Sequence, residues 1–254
     1  MSWALILGAS SGFGEATAYE LAGAGYDIFG VHLDRRETLP NAERAASRIR
    51  ERNREAVFFN VNAVDDDARR EVIRQIGERG ARIGVLLHSI AFGMLRPLVN
   101  APSVATRKHL ESTADAMGHS LVFWTQDLLS AGLFEEQARI FAMTSEGGGK
   151  AVPQYGPVCA AKAILEAHVR QLAVELAPLG ITANAILAGV TDTPALRRIP
   201  GHERLMEVAL MRNPHQRLTT PADVARCIAA FCTPATAWMT GNVIRVDGGE
   251  GAVA

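Results

Sequence analysis

The sequence predicts an α/β fold: a single Rossmann-type, doubly wound parallel sheet of about seven strands with helices on both faces. Two observations predict it. Short apolar runs alternate with longer amphipathic stretches along the whole chain, and the first apolar run passes directly into a glycine-rich turn. The runs are apolar on both faces, which is what a parallel strand covered by helices above and below requires.

The strand segments are WALIL (3–7), DIFGVHL (27–33), AVFFNV (56–61), IGVLLHS (83–89), RIFAMTS (139–145), ITANAIL (181–187) and NVIRV (242–246). They are short and often β-branched, so they suit strands better than helices. The stretch between the first two places small and apolar residues at helical spacing and ends in Gly23 and Gly25. LPNAERAASRIRERN has a charged outer face, and DDDARREVIRQIGERG opens on acids and closes on glycine, the order that a helix dipole and C-cap favour. A long helical pair is expected over about 103–132 and another helix over about 158–177. The last opens at TPADVARCIAAFC, with Thr220 as N-cap and Pro221 at the first helical position. The segment at about 189–218 reads as long and irregular, and so as a mobile lid on a single domain spanning 1–254.

Composition excludes several classes. With a net charge of −1 there is no electrostatic case for nucleic acid or a membrane surface. Cys159, Cys227 and Cys232 lack metal-ligand spacing and cannot all pair with one another, so they read as thiols in a reducing compartment. No apolar run reaches the roughly 18 residues of a membrane span, and MSWALILGAS has no basic leader. The expectation is a cytoplasmic protein without a metal.

LILGASSGFGEAT sets Gly8, Gly12 and Gly14 directly after the first strand. Such a turn brings backbone N–H groups and a helix N-terminus up to a pyrophosphate. The next strand ends in HLDRRE. A carboxylate about 20 residues past the glycines suits the adenosine ribose diol, and Asp34 falls there. Arg35 and Arg36 follow and suit a 2′-phosphate instead. The two signals conflict, and the arginine pair tips the reading to NADPH, with NADH as the alternative.

Among three tyrosines (Tyr19, Tyr26, Tyr155) and three lysines (Lys108, Lys150, Lys162), the pair Tyr155 and Lys162 lies seven residues apart at the start of a helix. Residues at that spacing share a helix face, and Pro157 suits the first helical turn. A lysine there can bind the nicotinamide ribose and favour an anionic oxygen near the tyrosine.

The G-x3-G-x-G turn resembles the short-chain dehydrogenase/reductase family. Most members place a tyrosine four residues before the lysine; here that position is Val158. Tyr-x6-Lys resembles the enoyl-acyl-carrier-protein reductases, a divergent branch. LLHSIAFG (86–93) is similar to their His-Ser-Ile-Gly/Ala-Phe segment, and DAMGHSLVF (115–123) matches another segment of theirs at Asp115 and Ser120. The resemblance covers essentially the whole chain, including TGNVIRVDGG. One departure stands out. Ser145 occupies the place of a second active-site aromatic in many enoyl reductases, and of the catalytic serine in ordinary dehydrogenases.

The resemblance implies cofactor contacts from Gly8, Ser10, Ser11, Gly12, Phe13 and Gly14, from Asp34, Arg35 and Arg36, and from Asn60 and Val61 beside the adenine. It further implies contacts from Ser89, Ile90 and Ala91, from Lys162, and from Gly189, Val190, Thr191 and Thr193. The catalytic set is Tyr155, Lys162 and Ser145. Hydride would pass to Cβ of an enoyl thioester, free or carried by acyl carrier protein, in fatty acid biosynthesis. Two rivals stand beside this: a keto or carbonyl reductase using Ser145 and Tyr155, and a non-catalytic dinucleotide sensor. In the lid, Leu196, Ile199, Leu205, Met206, Val208, Leu210 and Met211 suit an acyl chain. Arg197, Arg198, Arg204 and Arg212 suit an acidic carrier; an amphipathic surface helix is the other reading. His88 can line the nicotinamide pocket or be a core histidine, and His119 and His168 read as structural. Family resemblance suggests a homotetramer built through helices at about 118–132 and 158–177.

Overall fold

The computed structural model describes residues 2–253. Seven strands form one sheet: β1 (Ser2–Leu7), β2 (Asp27–His32), β3 (Ala56–Asn60), β4 (Arg82–His88), β5 (Phe134–Thr144), β6 (Thr182–Ala188) and β7 (Val243–Val246). Their order is β3-β2-β1-β4-β5-β6-β7, and every pairing is parallel. The order reverses between β1 and β4, and an open α/β sheet forms its ligand crevice beyond the carboxyl ends of such strands.

Helices cover both faces because β-α crossovers are right-handed. On one side α1 (Gly12–Gly23), α2 (Leu39–Arg50) and α8 (Pro221–Phe231) bury Ala18, Leu21, Ala46, Ile49, Val224 and Ile228 against the sheet. On the other side α3 (Asp66–Glu78), α5 (Ser120–Ser130) and α6 (Gly156–Glu175) pack Val72, Ile76, Leu121, Trp124, Leu165 and Val169 onto it. Their caps follow from sequence. Asp65 accepts from Ala68 N at 2.8 Å. Thr220 forms a reciprocal capping box with Asp223 behind Pro221.

Three segments differ from expectation. The pair expected over 103–132 is one continuous helical rod that starts at Arg107, where Thr106 caps α4 (Arg107–Ala114). A π-helical turn, Asp115–His119, joins α4 to α5. Residues 89–106 therefore form a long loop. Strand β5 begins at Phe134, five residues earlier than its apolar pattern, because Phe134 pairs with Ile83 across a register shift. The expected irregular lid contains α7 (His202–Arg212) behind the glycine break at Gly201.

At the π turn, Gly118 lies against α6: a Cβ there would stand 2.9 Å from Ile164 Cγ2 and 3.2 Å from the Ala161 carbonyl. The bare backbone lets the rod close onto the helix that carries Tyr155 and Lys162. Gly118→Val should lower unfolding free energy by about 1–3 kcal/mol in urea titrations, and an unchanged midpoint would show that the contact has slack.

Candidate active site

The glycine turn follows from close packing at two positions. Gly8 has φ +93°, and a Cβ there would run into the Ser89 carbonyl. At Gly14 a Cβ would run into the Gly8 carbonyl. The turn is pinned by Gly8 N and Ala9 N donating to Val31 O at 2.8 and 3.1 Å. Ser11 is extended and its hydroxyl does not cap α1, so the N–H groups at Gly12, Phe13 and Gly14 remain open. Thr193 lies 3.6 Å from where a Gly12 Cβ would be, which brings the segment after β6 against the turn. A backbone cradle that a side chain would fill, with uncapped N–H groups, fits a dinucleotide pyrophosphate.

At the end of β2, Asp34 Oδ2 lies 2.8 Å from His32 Nδ1. Burial works to raise the Asp34 carboxyl, but the nearby Thr38 and Ser10 hydroxyls and the His32 ring outweigh it, leaving its pKa below the usual carboxylate value. Arg35 and Arg36 are exposed and have no acidic partner among the described residues. Asn60 braces the Asp34 backbone from both sides: its Oδ1 accepts from Asp34 N at 2.9 Å, and its Nδ2 donates to Asp34 O at 3.0 Å. Val61 N donates to His32 O at 2.8 Å, which extends the strand pairing.

The reacting end gathers at the carboxyl ends of β4, β5 and β6. Tyr155 is the residue before α6, held by its N–H donating to Val152 O at 3.1 Å and by Cys159 N donating to its carbonyl at 2.8 Å. Its ring edge lies 3.2 Å from where a Gly147 Cβ would be, in the short turn directly after Ser145. Burial raises the Tyr155 phenol, the Cys159 thiol adds to this, and the Ser145 hydroxyl partly offsets both. Ser145 Oγ nevertheless makes no hydrogen bond with the phenol; it is buried and has no partner. Two hydroxyls therefore sit together without binding each other.

Lys162 is 4% exposed, and its Nζ donates to Met143 O at 2.6 Å. Burial pulls its pKa from 10.5 to about 8, against the pull of the Glu166 carboxylate. Glu166 accepts from Thr144 Oγ1 at 2.6 Å, so the end of β5 is tied to α6 twice. His88 is a core residue rather than a pocket wall: fully buried, with Nε2 2.8 Å from Ser120 Oγ. Ser120 Oγ already donates to Ala116 O at 2.9 Å, so it must accept from His88 Nε2–H. Burial and the adjacent Lys162 charge hold His88 neutral, with its pKa at about 3. His119 and His168 bond to each other, Nδ1 to Nε2 at 3.0 Å, away from this centre.

Val158 is buried among Met117, Ala161 and Ile90. The position that carries a tyrosine in ordinary dehydrogenases is filled here by packing. Gly93 backs this cluster, and Leu98 seats on Gly156: a Cβ on that glycine would stand 2.7 Å from Leu98 Cγ. The loop after β4 thus reaches the tyrosine turn and presents Phe92, Leu98 and Val99 to solvent. Sequence reasoning missed this apolar rim, although the run FGMLRPLVNAP carries the signal. Ser89 N donates to Leu7 O at 2.8 Å, placing Ile90 and Ala91 beside the glycine turn.

In the lid, most of the expected free arginines are committed. Arg197 grips Asp192 through two bonds of 2.7 and 2.8 Å. Arg204 pairs with Glu207, and Arg212 donates to Val253 O. Only Arg198 of the four has no bonded partner among the described residues. Leu210 and Met211 are exposed. Among the described residues no group of three or more His, Cys, Asp or Glu side chains can hold a metal ion, and no helix is long and apolar enough to cross a membrane.

A parallel sheet with a glycine-turn cradle and a tyrosine–lysine pair defines an oxidoreductase of the short-chain dehydrogenase/reductase type. The family described as Enoyl-(Acyl carrier protein) reductase matches residues 8–250, and the chain belongs to that family. It is 30% identical over 199 residues to the NADPH-named enoyl-[acyl-carrier-protein] reductase FabI of Staphylococcus aureus, covering 78% of this chain and 77% of that protein. It is 26% identical to the 1-cyclohexenylcarbonyl-CoA reductase of Streptomyces collinus, covering 98% and 87%. The crystal structure of the NADH-named enoyl-[acyl-carrier-protein] reductase of Aquifex aeolicus superposes with a TM-score of 0.88 at 25% identity, covering 100% and 97%. The Anaplasma phagocytophilum enoyl-(acyl-carrier-protein) reductase, solved with NAD, shares the fold at a TM-score of 0.86 and 19% identity, covering 100% and 93%.

The depressed Lys162 pKa has a testable sign. The unfolded chain holds this proton up to about pH 10.5 and the folded chain only to about 8, so stability rises with pH between those values. Relative to Lys162→Met, the parent should gain about 3 kcal/mol in unfolding free energy between pH 7 and 10.5. A flat difference would show that the ammonium is not desolvated.

Proposed function

We propose that this protein reduces the C=C bond of an enoyl thioester with NADPH. The observation that supports the reading is Tyr155: its ring lies against the turn that follows β5 while Val158 is buried in the core, which favours the residue seven before Lys162 as the donor. The cofactor, when bound, supplies hydride to Cβ of the acyl group. Negative charge then grows on the thioester oxygen, and the Tyr155 hydroxyl is placed to donate to it. Each preorganised donor of this kind lowers the barrier by about 2.7–4 kcal/mol. Lys162 holds the nicotinamide ribose and stabilises the anionic oxygen through its charge. Gly8, Gly12 and Gly14 with the open N–H groups of α1 take the pyrophosphate; Gly189 to Thr193 take the carboxamide side.

The acyl chain would lie along Leu95, Leu98 and Tyr155, under Leu210 and Met211 of the lid. The chain is similar across 98% of its length to a protein named for a coenzyme A thioester, and to others named for the carrier protein. The reading takes in either thioester. Arg198 is the lid cation left to meet an acidic carrier. The reading also includes assembly as a homotetramer, for which Phe123 and Leu129 on α5 and Val174 on α6 offer exposed apolar contacts.

Two experiments test the reading. Tyr155→Phe should cut turnover of crotonyl thioester about 100-fold to 1000-fold while nucleotide affinity, measured by titration, stays within twofold; unchanged turnover rejects the role of the phenol. For the cofactor, Asp34 is engaged by His32, whereas Arg35 and Arg36 are free for a 2′-phosphate. Replacing both arginines with serine should raise KM for NADPH about tenfold and leave KM for NADH alone. The opposite pattern would assign the pocket to NADH.

A second reading, a keto reductase, rests on one observation: Ser145 Oγ is a buried, unpartnered donor beside the phenol. A matched assay of crotonyl and acetoacetyl thioesters separates the two, since the proposed function requires the first to be the faster substrate.

A further inference from the structure

The peptide between Gly189 and Val190, at the exit of β6, is fixed at both ends by side chains. Thr191 Oγ1 donates to the Gly189 carbonyl at 2.9 Å. The Val190 N–H donates to Glu250 Oε2 at 3.0 Å, across 60 residues of sequence. Neither the next amide N–H, at Thr191, nor the Val190 carbonyl takes a hydrogen bond within the described residues. The Val190 carbonyl and the Thr191 N–H belong to one trans peptide and point to opposite sides, so pinning the peptide before it helps set which of the two faces out of the turn. A primary carboxamide carries both a donor and an acceptor and can bond whichever of the two is presented.

Glu250 is an unusual residue to spend on this. It is 5% exposed, and no cation lies within ion-pair distance of it among the described residues. Burial raises its carboxyl pKa, the Val190 N–H lowers it, Glu146 and Asp247 raise it further, and Arg212 lowers it. A buried carboxylate without an ion pair costs stability, and the surrounding loop is built to hold it. Asp247 Oδ1 and Oδ2 accept from Gly249 N and Gly251 N, each at 3.0 Å. Asn213 Nδ2 donates to Asp247 O at 3.1 Å, which fastens this loop to the end of the lid. The fit is tight: a Cβ on Gly189 would stand 2.8 Å from Glu250 Oε2 and 3.1 Å from Asp247 Cα.

We propose that Glu250 is a positioning residue for the nicotinamide end of the cofactor, acting through the Gly189–Val190 peptide. This rests on the dinucleotide reading above and adds to it a residue that touches no cofactor atom.

The test compares binding of NADPH with binding of 2′-phospho-ADP-ribose, which lacks only the nicotinamide, by calorimetry on the full chain. Glu250→Leu, similar in volume but without an acceptor, should weaken NADPH about tenfold and leave 2′-phospho-ADP-ribose within twofold. Glu250→Gln keeps an acceptor oxygen and should bind both like the parent. Glu250→Asp keeps the charge but withdraws the oxygen by one methylene, and should show the selective loss even if the leucine variant fails to fold. Equal weakening of both nucleotides, or no weakening of either, in the leucine or aspartate variant overturns the proposal. A parent chain that binds neither nucleotide rejects the dinucleotide reading itself, and the role of Glu250 with it.

Discussion

The bond from Lys162 Nζ to Met143 O is the constraint around which the rest of the site is arranged. It carries a charged group out of water and clamps helix α6 to the last residues of β5. An ammonium in that position is costly unless its protons are used. One is used by Met143. The cost shows in the depressed pKa and in the neutral His88 beside it. Because α6 cannot slide on β5 without breaking this bond, Tyr155 at its N-terminus and Ser145 at the strand end hold a fixed relation.

In the proposed function, that arrangement lets a tyrosine three residues away from the family's usual place act as the donor. The ordinary position is Val158, buried in an apolar cluster with Met117 and Ala161. A phenol there would have to displace packing. Tyr155 instead sits one residue before the helix, where the turn from Val152 sets its backbone and the Gly147 turn leaves room for its ring. The loop after β4 closes against the same turn through Leu98 on Gly156.

Much of this was legible in the sequence because local patterns and tertiary structure agree. Seven short apolar runs became seven parallel strands, and Thr220–Pro221 and the acidic start of α3 marked helix ends correctly. Part of what escaped depended on contacts distant in sequence. The first residues of β5, Phe134 to Ala138, include Glu135, Glu136 and Gln137 and lack an apolar pattern, yet pair through Ile83. For α7 the sequence leaves two readings open, an irregular lid and an amphipathic surface helix, and the helix is present behind Gly201. Of the lid arginines, Arg212 bonds a distant partner, the Val253 carbonyl, whereas Asp192 and Glu207 are near Arg197 and Arg204 in sequence and were passed over. Glu250 gave no signal at all: in a run of small residues and glycine, nothing marks a carboxylate that folds back under β6.

The central claim is that hydride reaches the β carbon of an unsaturated thioester while Tyr155 supports the oxygen. The most direct measurement is the fate of a label. NADPH carrying deuterium at the transferable C4 position, incubated with this protein and crotonyl thioester, should yield butyryl thioester with deuterium at C3. Absence of that product, together with deuterium on the carbinol carbon of 3-hydroxybutyryl thioester formed from acetoacetyl thioester, would contradict the account and make Ser145 the residue to follow.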